Sequence, residues 1–200
     1  MTPGLATALE RRPETEYLSR YGPWHFTRQY TMERPEAAVF YDLYRTAFEP
    51  IRALSVARQV LTEAEFNGQM QHDRVAKYIA WTDDGEPVGL TTLSNDLSTT
   101  PWVNPDYFAL HYPEQWARQA VYYLGFTIAH PSQRHRRIVD AIVSVGMREA
   151  VERKAVVAYD VCSYNNDRLG FTERVTELLA PVPARLELVD CQFYSCAVFL

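Results

Sequence analysis

Residues 120–139 read AVYYLGFTIAHPSQRHRRIV, and the change of pattern inside them decides the fold. Ala120 to Ala129 is apolar and rich in β-branched and aromatic residues, which predicts a strand. His130-Pro131-Ser132 interrupts it, and Ile138, Ala141, Ile142, Val145 and Ala150 then recur on one side of a helix. The unit is strand, turn, helix, with Arg134, His135, Arg136 and Arg137 gathered at the helix start. Such a start offers unpaired amides and the positive end of the helix dipole to an anion.

Upstream, Val75 to Trp81 and Val88 to Leu93 are two β-like runs joined by a turn containing Asp84-Gly85, the pattern of an antiparallel hairpin. Two helices precede it. Phe40, Leu43, Tyr44, Ala47, Phe48 and Ile51 share one helical face, and Thr62-Glu63-Ala64-Glu65 has the form of a capping box ahead of Phe66 and Met70. Trp24 to Tyr30 reads as a short aromatic strand. Residues 1–22, with Pro3, Gly4, Pro13 and Gly22 and no sustained periodicity, read as an N-terminal arm or linker, which leaves 23–200 as one domain.

Downstream, Val156 to Tyr164 reads as a strand, Arg168 to Leu179 as a helix, Pro181 and Pro183 as breakers, and Leu186 to Phe199 as β structure. Residues 95–119 are too long for a plain connection. They carry Trp102, Tyr107, Phe108, Tyr112 and Trp116, the composition of a packed lid or a substrate wall. The order of elements is that of a mixed α/β (α+β) fold.

Composition narrows the class. With 47% hydrophobic residues the 200-residue chain can bury a core of its own. The formal charge of -5 argues against a protein that coats nucleic acid. No run approaches the roughly 18 apolar residues of a membrane span, and Glu10, Arg11, Arg12, Glu14 and Glu16 stand where a signal peptide would be apolar. A cytoplasmic protein without membrane contact is expected. Cys162, Cys191 and Cys196 form no Cys-x-x-Cys pair, and the five histidines lack metal-ligand spacing on one helix face, so reduced thiols and no metal are expected.

The hairpin written Asp-Gly-x-Pro-Val-Gly and the strand running into x-His-Pro-x-x-Arg at a helix head resemble the GCN5-related N-acetyltransferase (GNAT) superfamily over residues 24–199. The resemblance implies a mostly antiparallel central sheet flanked by helices, with acetyl-CoA or another acyl-CoA as donor. It places the phosphates of the donor on the loop Arg134-His135-Arg136-Arg137-Ile138-Val139. Here Arg137 and Val139 stand where the family has small residues. Either Arg134, Arg136 and Arg137 replace amide contacts by charge-assisted bonds, or the donor is a phosphopantetheine arm on a carrier protein, with its single phosphate.

The same resemblance implies that the backbone of Phe126, Thr127, Ile128 and Ala129 holds the pantetheine and polarises the thioester, as unpaired strand amides can. Asn165 or Asn166 matches the family's asparagine. The tyrosine that protonates the leaving thiolate is replaced by Thr172, whose hydroxyl is too weakly acidic, and Tyr164 is the nearby substitute. The strand 121–128 carries no acid, but alternation along 156–164 sets Asp160 beside Cys162 and Tyr164, and a buried Asp160 would serve as general base. Trp102, Tyr107, Phe108, His111 and Trp116 are the candidate acceptor residues, with His111 a second candidate base.

The reading is an acyltransferase that moves an acyl group to the amine of a small hydrophobic or aromatic acceptor by direct attack. Its competitor is a catalytically degenerate binding module of the same fold. The apolar run at the C-terminus further suggests a strand covered by a second copy in a homodimer.

Overall fold

The computed structural model, which describes residues 15–132, 137–196 and 198, is built outward from the expected hairpin. β3 (Ala76–Trp81) and β4 (Pro87–Ser94) pair antiparallel through Ile79↔Leu90 and Ala80↔Gly89. Gly85 takes φ +84° in the turn, a conformation that favours glycine. β1 (Glu16–Tyr21), β2 (Trp24–Gln29) and β5 (Val121–Ala129) extend the antiparallel part, and β6 (Val156–Ala158) joins β5 in parallel. The sheet order is β1-β2-β3-β4-β5-β6.

Both faces of the sheet are covered, which explains why its central strands are apolar on both sides. α1 (Arg34–Phe48) and α2 (Glu63–Gln71) lay Phe40, Tyr44, Phe66 and Met70 against Ile79, Leu90, Phe126 and Ile128. On the opposite face Ile138, Ile142 and Val145 of α5 (Ile138–Glu152) meet Phe26, Tyr78, Tyr122 and Leu124. The capping box of α2 is formed as expected, with the Glu65 N–H donating to Thr62 Oγ1 and the Thr62 N–H donating to the Glu65 carboxylate. Among the described residues no helix is long and apolar enough to cross a membrane.

The insertion at 95–119 folds as α3 (Pro105–His111) and α4 (Pro113–Ala117), docked through Leu97 and Phe108 onto Val121 and Tyr123.

Four boundaries differ from the sequence reading. Residues 16–21, assigned to the arm, are an edge strand on β2, and Gly22 at φ +56° turns one strand into the next. β6 stops at Ala158 instead of continuing to Tyr164. Tyr159 packs its ring on Phe171, and Cys162 precedes α6 (Ser163–Leu169), so the apolar run serves packing and not a ladder. The helix expected over 168–179 is broken at Gly170, φ +62°, into α6 and α7 (Phe171–Leu179). Residues 186–196 form no strand, and Leu188, Phe193 and Tyr194 are exposed, since alternation becomes a ladder only where a partner strand is paired and this run pairs with none.

Candidate active site

β5 and β6 start side by side and then part. Their rungs are Val121↔Val156, Tyr122↔Val157 and Tyr123↔Ala158, while β5 continues to Ala129. Beyond Tyr123 no strand lies along that edge among the described residues. On the other edge the ladder to β4 is intact, with Leu90↔Ile128 in register and the His130 N–H donating to the Val88 carbonyl at 2.9 Å. Alternation in an antiparallel pair therefore turns the backbone of Ile128 toward β4 and the backbones of Thr127 and Ala129 toward the open edge.

A bulge sits at the mouth of this cleft. Between Thr91↔Thr127 and Leu93↔Leu124 the strand β5 carries one extra residue. The Phe126 N–H donates to Thr92 Oγ1 at 3.2 Å, so this amide faces β4 and not the cleft. The Phe126 ring is locked in an aromatic cluster, 5.1 Å from Tyr44 and 5.6 Å from Phe66.

Where the strands part, Tyr123 joins both sides. Its hydroxyl donates to the Asp160 carboxylate and accepts from Trp102 Nε1 at 3.1 Å. The Trp102 and Tyr123 rings meet edge to face at 6.2 Å. Burial, and then the Asp160 charge, push the Tyr123 phenol well above its ordinary range. Asp160 is exposed, not buried as a desolvated base would be, and lies in the loop after β6, off the strand face it was expected to share with Cys162 and Tyr164. Tyr123 escaped the sequence reading, whose only signal was a second tyrosine next to Tyr122 that alternation sends to the opposite face.

A narrow crevice of about 20 Å³ opens at the same place, lined by Thr92, Ser94, Thr100, Trp102, Tyr123 and Gly125.

Arg134, His135 and Arg136, which the resemblance assigns to the phosphate loop, lie outside the described residues. Arg137 precedes α5 in the left-handed conformation, φ +59°, at the position where the family resemblance implies a small residue. Its guanidinium donates to Asp140 at 2.7 Å, and Arg174 donates to the same carboxylate at 2.8 Å, tying α7 to the first turn of α5. Desolvation raises the Asp140 carboxyl, but the bonds from Arg174 and Arg137 outweigh it and hold the group below its usual range. The Ile138 side chain is buried in the core and Val139 packs against it, which leaves only their backbones to a ligand.

The remaining expected residues are distributed more widely. Asn166 Oδ1 accepts from Thr172 Oγ1 at 2.5 Å, so the residue in the family's tyrosine position serves an asparagine of the preceding helix. Asn165 and Tyr164 are half-buried on α6. Phe108 is core, while Trp102 and Trp116 are exposed. Tyr107 and His111 line a different, open groove of about 610 Å³ between α3 and residues 185–189. Among the described residues no group of three His, Cys, Asp or Glu side chains is placed to hold a metal.

No protein-family model matches the chain, and no curated protein does. Solved structures do. An aminoglycoside acetyltransferase, meta-AAC0020 from an uncultured soil metagenomic sample, in complex with trehalose, superposes with a TM-score of 0.51 at 13% identity over 88% of this chain and 97% of that one. The ribosomal-protein-alanine N-acetyltransferase from Brucella melitensis biovar Abortus 2308 gives 0.51 at 13% identity, covering 88% and 99%. The aminoglycoside N-acetyltransferase AAC(6')-Iy in complex with CoA gives 0.50 at 16% identity, covering 88% and 98%. The chain thus shares its fold with these three acetyltransferases. The mostly antiparallel sheet flanked by helices is the architecture that the resemblance in the sequence implied.

Proposed function

We propose that the protein is an acyltransferase. It moves an acyl group from an acyl-CoA thioester, acetyl-CoA in the simplest case, to the amine of a small acceptor with an apolar or aromatic surface, by direct attack. The observation that carries this reading is the open edge of β5. The backbones of Thr127 and Ala129 face the side of β5 that is left open beyond the point where Tyr123 meets Asp160. Backbone groups on such an edge can hold a pantetheine amide chain as a missing strand would. Trp102, exposed beside the crevice, is the acceptor-side aromatic of this reading.

A carrier-bound donor is the second reading, favoured by one observation. Arg137 is committed to Asp140, which suits a donor that asks less of the phosphate loop than free coenzyme A does.

The test is a calorimetric titration of the protein with acetyl-CoA, a longer acyl-CoA and free phosphopantetheine. Micromolar binding of a CoA species is the expected result. Binding of the pantetheine arm alone assigns the donor to a carrier. Failure with every donor identifies a binding module without acyl transfer.

A further inference from the structure

The hydrogen bond from Tyr123 to Asp160 joins residues 37 apart in the chain, at the last rung before β5 and β6 separate. Resting on the acyltransferase reading above, we propose that Tyr123 is the proton carrier of the transfer, with Asp160 behind it as its positioning residue.

Three features of the site support this. The direction of the hydrogen-bond chain is determined by its ends. Trp102 Nε1 can only donate and an ionised Asp160 can only accept, so the single phenolic proton of Tyr123 points at Asp160 and an oxygen lone pair remains for an incoming N–H. Tyr123, 3% exposed, lines the narrow crevice that also contains Gly125 of the bulge, next in the chain to Phe126. Finally, β5 carries no carboxylate and Thr172 is bonded to Asn166, so the pair supplies both an acid and a base where the expected ones are missing.

The step balances. A neutral amine attacks the thioester carbonyl carbon, the C–N bond forms and the C–S bond breaks. The proton lost by nitrogen enters at Tyr123 Oη while the proton of Tyr123 moves to Asp160. The reverse shift delivers a proton to the departing sulfur, so the products are an amide and a thiol and the pair is restored.

The test uses the full chain with acetyl-CoA as donor and tryptamine, a small aromatic primary amine, as the amine probe, following thiol release with and without the amine. Tyr123→Phe is expected to bind acetyl-CoA with unchanged affinity and to lose about 100-fold in kcat with little change in KM. Asp160→Asn is expected to lose kcat as well and to shift the pH–rate profile, and the double variant to lose no more than Tyr123→Phe alone. In the unliganded protein, tyrosine-labelled NMR is expected to show the Tyr123 phenol ionising at lower pH in Asp160→Asn than in the unaltered chain. If Tyr123→Phe does not fold, Asp160→Asn, an exposed site, reads the same chain by both methods.

Full kcat in Tyr123→Phe with acetyl-CoA still bound overturns the proton-carrier role and leaves the acyltransferase reading standing. A loss that falls on Tyr164→Phe instead, or donor binding without thiol release by the unaltered chain, overturns it too. No binding of any acyl donor by the unaltered chain removes the acyltransferase reading and this inference together.

Discussion

The Cβ that Gly125 lacks would lie 2.5 Å from the Thr92 hydroxyl oxygen. That oxygen is the acceptor of the Phe126 N–H, so the extra residue of the β5 bulge is held in place by a contact only glycine permits. Gly125→Ala is expected to lower stability by about 1–3 kcal/mol through overpacking. Adding Thr92→Ala removes the clash but leaves the Phe126 amide without its acceptor, so recovery is partial. Urea denaturation of the unaltered chain and the two variants checks this; full recovery in the double variant would mean that the Thr92 bond contributes nothing.

Arg137 holds a left-handed backbone at an estimated cost of about 1 kcal/mol, and the ion pair it gains with Asp140 is largely exposed on the arginine side. Arg137→Gly is therefore expected to leave stability unchanged or raise it by up to about 1 kcal/mol. It also bares the backbone at the start of α5. Acetyl-CoA affinity measured by calorimetry is expected to rise; a fall assigns the guanidinium itself to the donor.

Lys77 is fully buried, donating to the Tyr30 carbonyl at 2.5 Å and the His72 carbonyl at 2.7 Å. Desolvation pulls its ammonium down to about 7 from 10.5, with the Asp73 charge opposing. Between those values the unfolded chain binds more protons than the folded one, so stability rises with pH across the window and is insensitive to this group below it. Urea midpoints at pH 7 and pH 9 are expected to differ, the higher pH being the more stable. In Lys77→Met that difference should disappear.

Deleting residues 191–200 is expected to leave the melting temperature of the monomer unchanged, since Phe193 and Tyr194 are exposed and no ladder reaches them. Melting and mass are measured across a dilution series. A drop in melting temperature that grows with protein concentration would identify a second copy as the cover of this segment.

The elements legible from the chain are those whose cause lies within a few residues. The α1 stripe through Phe40 and Tyr44, the Thr62–Glu65 box and the Asp84-Gly85 turn depend on helical or hairpin spacing, and each is formed where the spacing put it. The strand-turn-helix unit around residues 120–139 is of the same kind. Its length and polarity assigned the fold before any contact was known.

Tertiary structure decided the cleft. Whether an apolar run becomes a strand depends on a free edge to pair with. The run at 16–21 paired with the edge of β2, the run at 159–164 was taken by packing against α7 and by α6, and the run at 186–196 pairs with no strand. The meeting of Tyr123 with Asp160, and the commitment of Arg137 and Arg174 to one carboxylate, join residues more than thirty positions apart or reverse an expected role. Periodicity reports which face a side chain takes, because the backbone repeat is local. It carries no information about what stands opposite, which is set only when the sheet and helices close on one another.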